Sequence, residues 1–298
     1  MKGFLFINCL GLIAFSLQAQ DWNAVTIKTI SVSGNIYMLE GSGGNIGLSV
    51  GDDGVLMIDS QFRQLSDKIL FAIKGLSDGQ VKYLLNTHWH GDHVGGNENF
   101  AAAGAVIVGH ENVKRRMSAA QVRPFMGETP AAQEEAIPLV TFTDRLGLKF
   151  NGEYLILAHV GNAHTDGDVL IYFPESNVLH MGDIYFKDRF PFIDLSSGGS
   201  INGFIKAVDH AIFLSDSNTK IIPGHGSLSN RTELLDYRNM LQRTRDWVME
   251  EIKEGKSLEE MKTMMTSGDH SYVWGMGFDN PDRFLDAIYS SLTENGSL

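Results

Sequence analysis

The apolar run Val81 to Leu85 leads into Thr87-His88-Trp89-His90-Gly91-Asp92-His93, followed by Val94-Gly95-Gly96-Asn97. Three histidines and an aspartate in the arrangement H-x-H-x-D-H, leaving what reads as a buried strand, form a set of metal ligands on a loop. Imidazole nitrogen is a borderline donor and carboxylate oxygen a hard one, and together they suit zinc. The pattern also constrains the fold, because ligands placed where strands end belong to layered α/β architectures.

The chain has 298 residues, 43% of them hydrophobic, which is enough for one large core or two moderate ones and unlike a disordered or collagenous chain. Its 24 Lys and Arg against 36 Asp and Glu oppose attraction to nucleic acid or to anionic membrane, both of which want clustered positive charge. No nucleic-acid partner is expected. Residues 1–19 carry Lys2, an apolar run from Phe4 to Leu17, and then Gln18-Ala19. That is the layout of a secretory signal peptide with cleavage near Ala19, and the run is too short for a comfortable membrane span. The expected mature chain, 20–298, is therefore periplasmic or secreted, without stable membrane insertion. Its one cysteine, Cys9, falls in the leader, so no disulfide and no thiolate are expected in the mature protein.

Along the chain, short alternating runs from Val25 to Asp59 read as antiparallel strands, with a hairpin across Gly51-Asp52-Asp53-Gly54. The Gly41 to Asn45 turn is flexible by composition and could overhang the metal loop. Helices are expected at 65–76, 97–103 and 111–118. The Pro- and Gly-punctuated segment 119–138, with Phe125 and Met126, reads as a lid, a pocket wall or a surface excursion. The second half repeats the order of strands and then helices. It carries His164 in Gly161-Asn162-Ala163-His164-Thr165-Asp166-Gly167-Asp168, Asp183 after Met181-Gly182, and His225 in Pro223-Gly224-His225-Gly226. No linker separates the halves, which predicts one domain built from two similar layers.

These residues resemble the metallo-β-lactamase-fold hydrolases, whose pattern is H-x-H-x-D-H, a histidine after a strand, an aspartate or cysteine, and a histidine in a G-H-G-like turn. The resemblance covers essentially the whole mature chain and implies an α/β fold, a four-layer αββα sandwich. It implies two zinc ions per chain, with iron or manganese as alternatives. By that likeness His88, His90 and His164 hold one ion, Asp92, His93 and His225 hold the other, and Asp183 bridges them. An aspartate at 183 is similar to glyoxalase II and the lactonases, where the cysteine-containing β-lactamases carry a thiolate. Phe186 stands where that subclass has a lysine that binds the lactam carboxylate. Lys187, one position on, is either its substitute or a solvated loop lysine.

The remaining residues divide as follows. His159 competes weakly with His164 for the ligand position. His110 reads as structural, and His180, His210 and His270 carry no assigned role. Asp166 and Asp168 are expected to orient imidazole or to form the turn. Asp92 is expected to orient and deprotonate a metal-bound hydroxide besides binding metal. Tyr185, two residues beyond Asp183 on an extended chain, would point the same way and donate to a developing oxyanion. Phe190, Phe192 and Ile193 either line the mouth or pack in the core. The resulting expectation is an exported dinuclear zinc hydrolase that opens a carbonyl bond of a small molecule, lactam or lactone. A thioester hydrolase of glyoxalase II type and an iron-dependent oxidoreductase are the alternatives, and the oligomeric state stays open.

Overall fold

The alternating and continuous apolar runs resolve into two sheets. The structure, a computed structural model, describes residues 20–123, 127–266 and 281–293. The expected leader with Cys9, and also Phe125, Met126 and His270, lie outside the described residues.

The chain first lays down β1 (Lys28–Ser33), β2 (Ile36–Glu40), β3 (Ile46–Gly51), β4 (Gly54–Ile58), β5 (Val81–Leu85) and β6 (Val106–His110). A separate two-stranded hairpin follows, β7 (Gln121–Arg123) and β8 (Gly127–Thr129), before β9 (Val140–Phe142) returns to the first sheet beside β6. The meander β1 to β4 is antiparallel, with Gly51 paired to Gly54 across the expected two-residue turn. From β4 onward the pairs β4–β5, β5–β6 and β6–β9 are parallel. Parallel neighbours need crossovers, and α1 (Ser66–Lys74), α2 (Gly91–Val94), α3 (Asn97–Ala102) and α4 (Glu111–Met117) lie in them.

The second sheet runs in order β10 (Arg145–Phe150), β11 (Glu153–His159), β12 (Val169–Phe173), β13 (Val178–His180), β14 (Lys220–Ile222) and β15 (Ser229–Asn230). Only β13–β14 is parallel in it, and α5 (Ile201–Leu214) fills that crossover. The chain closes with α6 (Arg231–Lys253), α7 (Leu258–Thr266) and α8 (Pro281–Thr293). Asn230 caps α6 by accepting from the Thr232 and Glu233 amides, which satisfies two of the helix's free donors.

Three apolar layers explain the stacking. Met38, Ile58 and Leu85 of the first sheet meet Leu157, Ile171 and Ile222 of the second in a core between the sheets. On the outer face of the first sheet, Leu48, Met57 and Leu84 pack under Ile69 and Ile73 of α1 and Phe100 of α3. On the outer face of the second, Leu170 and Leu179 pack under Phe204, Leu241 and Phe284 of α5, α6 and α8. Helices therefore cover the outside of two facing sheets, which is the expected αββα order. Among the described residues, no helix is long and apolar enough to cross a membrane.

Candidate metal centre

The candidate ligands collect at the ends of β5, β13 and β14 and in the β11–β12 connection. His90 is extended (φ −68°, ψ 146°) and α2 starts at the next residue. Alternation in the extended stretch puts His88 and His90 on one side and Trp89 on the other, where Trp89 packs with Val94, Val113 and Met117. The switch to helix then turns Asp92 and His93 toward a second position.

Two donor groups result. One ligand atom each from His88, His90, His164 and Asp183 lie within 4.8 Å of one another, and the same limit holds for Asp92, His93 and His225. Asp183 stands between the groups. Its Oδ2 is 3.5 Å from His164 Nε2 and 3.8 Å from His88 Nε2, while its Oδ1 is 3.0 Å from His93 Nε2 and 3.3 Å from His225 Nε2.

Hydrogen-bond partners set the tautomers. His93 Nδ1–H donates to Asp59 Oδ2 at 2.7 Å, His90 Nε2–H to Asp194 Oδ2 at 2.8 Å, and His164 Nδ1–H to the Phe192 carbonyl at 2.7 Å. Thr87 Oγ1 donates to Asp59 at 2.6 Å, so it accepts from His88 Nδ1–H at 3.1 Å. His88, His90 and His164 thus turn a lone pair inward, and His90 Nδ1 faces His164 Nε2 at 2.8 Å with no proton to share, whereas His93, which burial would lower, is raised well above the usual imidazole value by Asp183 and Asp92. His88 Nε2 and Asp183 Oδ1 are buried without a hydrogen-bond partner. Leaving buried polar atoms unmet costs about 1–3 kcal/mol each. Converging lone pairs of nitrogen and carboxylate oxygen are what divalent cations satisfy, so the residues fit two metal ions.

The chain's own charges keep the carboxylates ionised. Burial would raise Asp183, but His93, His225 and His88 hold it well below the usual carboxylate range. Burial likewise opposes ionisation of Asp92, yet His93 and His225 hold its pKa at about 2. His225 is depressed by burial but raised to about 9 by Asp183 and Asp92. His88 goes the other way, lowered by burial and then by His93.

Two positioning carboxylates were missed by the sequence reading. Asp59 follows β4 with a positive φ of 61°; it is fully buried and also accepts from the Thr87 amide at 2.8 Å. Asp194 caps the turn Leu195–Ser197 and receives the Ser197 amide and hydroxyl beside His90. The only sequence signal was an aspartate directly after a buried run for Asp59, and a position inside the Phe186–Gly199 stretch for Asp194. Asp168 forms the turn, as one of the two expectations had it, and neither the Asp166 nor the Asp168 carboxylate bonds an imidazole. Asp166 pairs with Arg115 and Arg116, and Asp168 holds the Thr165 amide and hydroxyl.

Tyr185 is the clearest correction. Its hydroxyl bonds Ser229 Oγ at 2.9 Å, its ring packs on Tyr237 at 4.8 Å, and burial pushes its pKa up. The turn Gly182–Ile184 breaks the extended alternation on which the expectation rested, so Asp183 and Tyr185 face different ways. Lys187 is bound to Glu233 at 2.7 Å, which takes the charge that a substrate carboxylate would need.

The aromatic stretch divides. Phe186, itself in the buried core, stacks on His225 at 5.2 Å, and the partly buried Phe192 lies 6.0 Å from His90, while Phe190 and Ile193 are core residues without, among the described residues, a ring contact to the candidate ligands. His110 and His159 stack on each other at 3.7 Å; His110 bonds the Thr143 carbonyl and caps α4, and His159 donates to the Asp168 carbonyl. The Gly41–Asn45 turn does overhang the centre. A Cβ on Gly44 would run into the His93 ring, the Gly44 amide donates to the Asp92 carbonyl at 3.1 Å, and Asn45 Nδ2 bonds the Pro223 and Gly226 carbonyls at 3.0 and 2.8 Å.

Residues 39–225 match the family model of the metallo-beta-lactamase superfamily. The chain is 24% identical over 164 residues to a Bacteroides fragilis protein named metallo-beta-lactamase type 2, covering 54% of this chain and 59% of that one. It is 28% identical over 138 residues to a hydroxyacylglutathione hydrolase of a Polaromonas species, covering 38% of this chain and 52% of that one. The chain thus spans between half and three fifths of the length of these relatives. Its fold is similar to a solved metallo-beta-lactamase from Pontibacter korlensis, with TM-score 0.62 at 18% identity over 73% of this chain and 99% of that one. The matched span runs from β2 to His225 and takes in every donor of both groups, so the chain belongs to the metallo-β-lactamase superfamily.

Proposed function

We propose that the protein is an exported dinuclear zinc hydrolase that opens the carbonyl bond of a small cyclic amide or ester, a lactam or a lactone. The observation that carries this reading is the pair of donor groups joined at Asp183, one of them open to solvent through Asp92 and His225. Two zinc ions held there would supply Lewis acidity and a water of lowered pKa.

The chain's own residues do the rest. Asp92 keeps 28% of its side-chain surface and His225 17%, so substrate and water arrive on this side. The ionised Asp92 carboxylate orients the attacking water, accepts its proton as the C–O bond forms, and returns it to the leaving nitrogen or oxygen as the ring opens. Phe186 and Phe192 give the mouth an apolar wall that holds the carbon frame of the substrate and excludes bulk water. The apolar run Phe4 to Leu17 supports export.

A second reading, thioester hydrolysis, is favoured by the carboxylate at position 183 and by the likeness to a protein named hydroxyacylglutathione hydrolase. The test is the initial rate of the zinc-loaded mature protein on a chromogenic cephalosporin, an aliphatic lactone and an acyl thioester, beside Asp92→Ala. Loss of a general base predicts a fall of about 10²–10⁴-fold on the true substrate class. Turnover of the thioester alone selects the second reading. No turnover of any of the three, with two zinc ions per chain shown by elemental analysis, removes the hydrolase reading. Iron as the metal of the protein as purified would turn attention to oxidoreductase chemistry instead.

A further inference from the structure

His180 ends β13 and is fully buried, yet it belongs to neither donor group. Its ring makes two hydrogen bonds, and both go to backbone beside the centre. Nδ1 accepts from the Gly182 amide at 3.2 Å, and Nε2–H donates to the Asn45 carbonyl at 3.2 Å. An amide N–H can only donate, so Nδ1 carries no proton and the fold fixes the tautomer. The first bond holds the Gly182–Ile184 turn that presents Asp183. The second holds the end of the Gly41–Asn45 turn, which lies over His93.

These two attachments meet a third. The Asn45 amide donates to the Gly224 carbonyl at 2.7 Å, and its side chain to the Pro223 and Gly226 carbonyls on either side of His225. The turns are packed without spare room, since a Cβ on Gly224 would run into Asp183 Oδ1 and one on Gly182 would lie 2.7 Å from the Thr87 side chain. Gly47 of β3 leaves the space through which the His180 ring passes, because a Cβ there would come within 2.9 Å of the ring's Cδ2. Burying an imidazole costs free energy that its two bonds offset only while both partners stay in place. The ring therefore resists separation of the turns it joins. We propose that His180 is a positioning residue of the centre: its Nδ1 sets the Asp183 carboxylate that both ions would share, and its Nε2–H sets the glycine turn over the ion at Asp92, His93 and His225. This rests on the reading of the centre as a two-ion site.

The test separates the two bonds. His180→Asn places an oxygen near the Nδ1 position and keeps the Gly182 bond, whereas His180→Gln places an amide nitrogen near the Nε2 position and keeps the Asn45 bond. Stepwise zinc affinities of wild type and both variants are measured by competition with a chromophoric chelator, beside denaturant melts of the metal-free proteins. His180→Gln should weaken both ions about tenfold, the lower end for a group that orients metal ligands. His180→Asn should weaken one ion about tenfold and leave the other within about twofold of wild type. Wild-type affinities in both variants, or one common pattern of loss in the two, overturns the inference and leaves the ring a packing role only. Fewer than two zinc ions on wild type removes the two-ion reading and this inference with it. If a variant fails to fold, ring-nitrogen NMR of wild type decides: the His180 signals should shift at both steps of a zinc titration, and signals that stay in place while those of His88 and His93 move overturn the inference.

Discussion

The two donor groups use the same side-chain chemistry in opposite surroundings. His88, His90, His164 and Asp183 are all buried, whereas Asp92 and His225 of the second group are partly exposed. In the closed group His164 and His90 are held from the connection between β13 and α5, through Phe192 and Asp194, and His88 is held through Thr87, which Asp59 fixes. The open group is held from the first sheet, by Asp59 on His93 and by the Gly44 turn above it. On the proposed dinuclear reading, burial would suit one group to keep its ion and the other to meet substrate.

The comparison can be broken most severely at Gly44, because a methyl group there occupies the space of the His93 ring. Gly44→Ala should cost up to about 3 kcal/mol of unfolding free energy and weaken the ion of the open group, while the closed group keeps its own. Denaturant melts paired with zinc stoichiometry measure both, and a variant as stable as wild type with two ions bound would show that the turn does not press on the centre.

Asp59→Ala and Asp194→Ala sharpen the contrast. Each removes the acceptor bonded directly to one imidazole, His93 or His90, with Asp59 reaching His88 only through Thr87, and such partners are worth about 10–100-fold in metal affinity. Asp59→Ala should weaken the open group first and Asp194→Ala the closed one, as read by competition with a chromophoric chelator. If both variants release the same ion first, the two groups are not independently supported.

Tyr185→Phe should have the smallest effect. Losing the bond to Ser229 should lower stability by about 1 kcal/mol and leave kcat unchanged. A tenfold fall in kcat at wild-type stability would return Tyr185 to the reacting atoms.

The candidate donors were legible because most of their spacing is local: four of them lie within six residues, and each of the others sits in a short polar turn after an apolar run. The helices and the strand pairs joined by short turns were legible from apolar period and turn residues. The positioning groups were not. Asp59 and His93 are 34 residues apart and Asp194 and His90 are 104 apart, so no local pattern marks them as partners. Tyr185 misled because period-two reasoning holds only while the chain stays extended, and the turn at Gly182–Ile184 ends that. The segment 119–138 contains a hairpin that composition did not reveal, and that hairpin brings Arg123 to Trp89.

By itself the sequence determined the donor types, their order along the chain, and the alternation of apolar runs that makes two sheets with helices outside. These follow from short-range geometry, the periods of strand and helix and the conformations that glycine and proline allow. Only the tertiary structure decided which carboxylates aim the imidazoles, which donor group is open, and where Tyr185 and Lys187 direct their polar ends. Those depend on contacts between residues far apart in the chain, whose strength is set by burial that packing alone creates.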